Sequence, residues 1–131
     1  MRVMVARVAS VLMLAAVVSC GGGSPSPSAG GGSGGGGSAA TITITASGVS
    51  PKAVTVNAGS QVSFVNNDSV THEMASDPHP EHTDCPEINT VGTLVPGQTR
   101  QTSNLNTMKT CGYHDHLRDG DQALRGTITI R

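Results

Sequence analysis

Four stretches of this chain alternate apolar and polar residues one by one. In "TITITA" (residues 41–46) Ile42 and Ile44 share a face; in "AVTVN" (53–57) Val54 and Val56 do. "QVSFVN" (61–66) pairs Val62 with Phe64, and "GTITI" (126–130) pairs Ile128 with Ile130. A period of two in β-branched residues predicts half-buried strands, because successive side chains of a strand point to opposite faces. Turn residues punctuate the strands: "NAGS" from Asn57, "NNDS" from Asn66, and "VPGQT", where Pro96 and Gly97 suit a type II corner. No helical periodicity longer than a turn appears from residue 41 onward. The pattern predicts an all-β, antiparallel sandwich of two packed sheets. Its core must be mostly aliphatic, since Phe64 and Tyr113 are the only aromatic residues besides histidine. A disulfide or a bound metal would support so light a core, the first by restricting the unfolded chain and the second by binding only the folded one.

The sandwich cannot include the first forty residues. Arg2 and Arg7 precede an apolar run from Val8 to Val18, then Ser19 and Cys20. At about eleven residues the run is too short to span a bilayer and reads as a secretory signal. "VVSC" resembles the lipobox of bacterial lipoproteins. The resemblance implies that residues 1–19 are removed and that Cys20 is lipidated and becomes the mature N-terminus. Gly21 at the next position implies sorting to the outer membrane, facing the periplasm. "GGGSPSPSAGGGSGGGGS" follows, with nothing to pack. Such a chain is a random coil with a reach of roughly 23 Å. The expected organisation is a signal peptide at 1–19, a lipid-anchored linker at 20–40 and one domain at 41–131.

Eight Lys and Arg residues stand against nine Asp and Glu. Arg2 and Arg7 fall in the signal, leaving six against nine and a mature chain near −3 with neutral histidines. That excludes nucleic acid as a partner on charge. Beyond Cys20 the cysteines are Cys85 and Cys111, and in an exported domain a pair is a disulfide by default. All five histidines (His72, His79, His82, His114 and His116) fall in one third of the chain. Neutral imidazole is the commonest metal ligand and suits copper, zinc, iron or nickel.

Taken together, "AVTVNAGSQVSFVNND", His72 in "NNDSVTHEM", the "PGQT" corner, and a last hairpin with Cys111 and His114 before "GTITI" carry a resemblance. The domain resembles the cupredoxins, the blue-copper family of plastocyanin and azurin, over about residues 41–131. The resemblance implies a Greek-key sandwich, a copper ion, an electron-transfer role with a redox protein partner, and no enzymatic activity. A blue-copper site takes a thiolate and two imidazoles in a plane, with a weak axial ligand. "CGYH" provides Cys111 and His114 at the family's spacing, and His72 stands at the first ligand position. The axial Met is missing, and Leu124 stands near its place. In a second register the thiolate slot falls nearer Asp115, and Cys111 is left to pair with Cys85.

Strand alternation bears on this choice. On a regular strand Cys111, Tyr113 and Asp115 share one face, and His114 and His116 the other. Cys111 and His114 converge on one metal only if the strand ends or bulges at Gly112. The expected set is therefore His72, His114 and His116 around one copper ion, or zinc, with Cys111 as the alternative thiolate or as the disulfide partner of Cys85. His79 and His82, in the acidic loop "DPHPEHTDCP", make a possible second metal site with Asp77, Glu81 and Asp84. Met74 and Met108 are soft donors, more often core filler. The expectation is a monomeric, exported, membrane-tethered copper protein. It either carries electrons through Cys111 or holds copper at a histidine site beside a disulfide. Copper–zinc superoxide dismutase also pairs an H-x-H strand with a disulfide. Its H-x-H comes early in the chain and this one late, which argues against that enzyme. A metal-free interaction module leaves the histidine cluster unexplained.

Overall fold

A computed structural model of the chain describes residues 38–131. The expected signal, Cys20 and the linker up to residue 37 lie outside the described residues. Among the described residues no helix is long and apolar enough to cross a membrane.

The alternating stretches form strands close to where the sequence puts them: β1 Ala40–Thr45, β3 Ala53–Val56, β4 Val62–Asn66 and β9 Gly126–Ile130. Between them lie β2 Gly48–Ser50, β5 His72–Ser76, β6 Gly92–Leu94, β7 Thr99–Gln101 and β8 Thr110–Asp115. Three short 3₁₀ turns complete the described residues, at Pro86–Thr90, His116–Arg118 and Gln122–Leu124. One sheet has the order β2-β1-β4-β7 and the other β3-β9-β8-β5-β6. The expected β-sandwich is therefore present, but both sheets are mixed. The β1–β4 and β3–β9 pairs run parallel. Parallel neighbours need a crossover, and β3, lying in the opposite sheet, supplies it between β1 and β4.

Ile42, Ile44, Val62 and Phe64 of one sheet meet Met74, Tyr113, Ile128 and Ile130 of the other in the buried core. The two aromatic rings pack edge to face, 5.2 Å between centroids. "VPGQ" forms the expected corner: Gln98 N–H donates to Val95 O, and Gly97 has a φ of 80°, as a type II turn requires. Buried Asn66 fixes the approach to β5. Its amide donates to the carbonyls of Val70 and Leu94, and its oxygen accepts from Asp68 N–H.

Register places the chemistry. β5 and β8 pair antiparallel, with Met74 opposite Asp115, Ala75 opposite His114 and Ser76 opposite Tyr113. Directly paired residues share a face, so His72 and Met74 lie on the face of Asp115, and His114 lies on the other. β5 then gives way to the loop at Asp77, whose N–H still donates to Gly112 O.

Candidate metal centre

That loop closes on itself. His82 N–H donates to Pro78 O, and Asp84 N–H to Asp77 O. His82 takes the left-handed conformation, φ 53°, uncommon for a residue with a side chain, and Asn89 Nδ2 donates to its carbonyl. Cys85 ends the loop in a disulfide with Cys111 of β8, Cα–Cα 5.8 Å, buried in the core. Cys85 follows His82 by three residues, and Cys111 precedes His114 by three. The disulfide thus ties together the two segments that carry His79 with His82 and His114 with His116.

Those four histidines converge. Each offers a ring nitrogen, and the four nitrogens lie within 4.8 Å of one another. His114 is fully buried, His82 and His116 are half-buried, and His79 is exposed. His116 Nδ1 and His82 Nε2 stand 3.2 Å apart. On His114, Nδ1–H donates to Asp77 Oδ1 at 2.6 Å, and Nε2 is buried with no hydrogen-bond partner. A buried polar atom without a partner is costly, and a lone pair held so is what a metal would satisfy. Imidazole–metal bonds of about 2.0–2.1 Å put tetrahedral ligands roughly 3.4 Å apart, so the most distant nitrogens would draw in by about 1.4 Å. Burial, and then the neighbouring rings of His116, His114 and His79, hold His82 below the ordinary imidazole range. The ring is thereby kept in the neutral form that a metal needs.

The structure does not bring His72 into this group. Lying on the Asp115 face, its Nδ1 bonds Asp115 Oδ2 at 2.8 Å and its Nε2 meets Asp68 Oδ2 at 3.0 Å. Arg118 closes this buried cluster, 3.7 Å from the Asp115 carboxylate. The hydrogen bond to His72 holds the Asp68 carboxyl below its usual range. Of the expected set His72, His114 and His116, the structure brings His114 and His116 together with His79 and His82 in one group and leaves His72 apart from it. Asp77 and Asp84 are not part of that group either. Asp77 holds His114, and Asp84 pairs with Lys109 at 2.8 Å. Cys111 is bonded to Cys85 and offers no thiolate. Met74 is buried in the core, Met108 is exposed, and neither belongs to the histidine group. The sequence signal that would have joined the two histidine pairs was the cysteine pair that lies between them, one cysteine three residues from each pair.

No family model and no curated protein matches the chain. Solved structures do. A purple cupredoxin from Nitrosopumilus maritimus superposes with a TM-score of 0.55 at 20% identity, covering 70% of this chain and 99% of that one. The domain has a cupredoxin-like fold. Plastocyanin from Dryopteris crassirhizoma covers the same shares, with a TM-score of 0.54 and 18% identity. An amicyanin variant matches with a TM-score of 0.54 and 13% identity over 70% of this chain and 80% of its own. At these identities the cupredoxin likeness is one of fold.

Proposed function

We propose that this chain is an exported, lipid-anchored copper-binding protein whose metal is held by His79, His82, His114 and His116. The observation that carries the proposal is the gathering of four imidazoles, one nitrogen from each within 4.8 Å of the others, around a buried His114 whose Nε2 has no hydrogen-bond partner. Four nitrogens without sulfur suit copper(II), and zinc as a second choice. Cupredoxin-like neighbours, among them an amicyanin variant in its Cu(I) form, support copper over zinc. Export and anchoring rest on the signal-like residues 1–19, Cys20 and the Gly/Ser-rich tether.

The role that follows is holding or handing on copper at the membrane rather than blue-copper electron transfer. With Cys111 bonded to Cys85, no thiolate is left to complete the copper–sulfur site of an electron carrier. The test is to titrate the purified chain with copper(II), recording visible and electron paramagnetic resonance spectra. The expected result is one copper per chain, weak absorption and hyperfine splitting from several nitrogens. Failure to bind copper would sink the proposal; an intense thiolate-to-copper band would return the protein to the electron carriers.

A further inference from the structure

His114 is held by more than its own strand. A carboxylate only accepts hydrogen bonds, so the 2.6 Å contact with Asp77 places the ring proton on Nδ1 and leaves the lone pair on Nε2. Asp77 reaches this position because residue 112 is glycine: a Cβ at Gly112 would run into the Asp77 carboxylate. Arg125 braces the arrangement. Its guanidinium lies 3.7 Å from Asp77 Oδ1 and also binds Asp119, through two hydrogen bonds to the Asp119 carbonyl (3.1 and 2.9 Å) and an ion pair with its carboxylate. The Asp119 carboxylate in turn stands 3.9 Å from His114 Nε2. One arginine thus ties down the two carboxylates that flank the ring, one at each nitrogen.

We propose that Asp77, seated over Gly112 and braced by Arg125, is the positioning residue of the histidine site: it fixes His114 as the Nδ1–H tautomer and so selects Nε2 as the metal-binding atom. A carboxylate on the far nitrogen of a ligating histidine orients the ring and raises its basicity, and its loss weakens metal binding about 10–100-fold. The inference rests on the four-histidine reading.

The test uses the full-length chain, with zinc(II) as a diamagnetic probe and copper(II) in competition titrations. Nitrogen-15 spectra of the zinc-loaded wild type are expected to show His114 protonated on Nδ1 and ligated through Nε2. Asp77→Asn, whose amide can donate as well as accept, is expected to bind both metals about 10–100-fold more weakly. Gly112→Ala keeps Asp77 but pushes its carboxylate aside and is expected to weaken binding in the same direction. Wild-type affinity in a folded Asp77→Asn, or zinc on Nδ1 of His114, would overturn the inference and leave the four-histidine site standing. If either variant fails to fold, the wild-type nitrogen-15 spectrum decides alone. A wild type that binds neither metal would remove the four-histidine site, and the inference with it.

Discussion

His72 and His114 are both buried, and their neighbours give them opposite roles. Both nitrogens of His72 face carboxylates, so its ring is spent on structure. His114 gives one nitrogen to Asp77 and keeps the other free. Replacing His114 by Ala is expected to abolish tight copper binding, whereas His72→Gln should leave the affinity within about threefold and cost stability instead. Leaving a buried hydrogen-bonding group without its partner costs about 1–3 kcal/mol, and Asp115 is fully buried. Copper affinity and urea unfolding of the two variants separate the roles. The pH dependence follows from His82, whose folded pKa lies below the ordinary value of about 6.5. The unfolded chain therefore takes up the proton first, so this contribution to stability is intact above about pH 6.5 and is lost as pH falls below it. Asp84 is held below its usual range by Lys109 and then by Gly112 N–H, and it adds a loss in the same direction near pH 4 and below. Thermal midpoints of the metal-free protein should be level from pH 8 to 7 and fall from pH 6.5 to 5. His82→Asn should flatten the second interval.

At the scale of elements, the site is a joint between β8 and the loop that leaves β5. The disulfide closes a span of 26 residues, worth about 3.5 kcal/mol in a chain-entropy account. The double variant Cys85→Ala, Cys111→Ala is expected to lose roughly that much stability by urea titration. It should also bind copper more weakly, because the loop carrying His79 and His82 loses its tether. Unchanged affinity in a folded double variant would mean that the hydrogen bonds around Asp77 and Asp84 are enough to hold the loop. The strands themselves were readable in advance because alternation is local: Ile42 with Ile44 and Ile128 with Ile130 announce their faces. The same alternation separated Cys111 from His114, and the structure keeps them apart. It could not place His116, which follows the end of β8 and turns with the 3₁₀ segment, so its direction is set by the turn and not by the strand.

At the scale of the molecule, the proposed metal would support the fold. A metal that binds only the folded chain, at one hundred times its dissociation constant, stabilises it by about 2.7 kcal/mol. For a domain this small that is a rise of about 10–20 °C in midpoint, readable by calorimetry with and without copper(II). The sequence by itself determined the sandwich, the type II corner at Pro96–Gly97, the pairing propensity of Cys85 and Cys111, and that imidazoles are the chain's concentrated candidate ligands. All of these depend on residue type and on spacing within a few positions. Which histidines meet was decided only in three dimensions. The register of β5 against β8 sets His72 opposite the face of His114, and the fold of residues 77–85 carries His79 and His82 to it. Neither the pairing of strands forty residues apart nor the path of a loop is written in local periodicity. Both are settled by the packing of the whole sandwich.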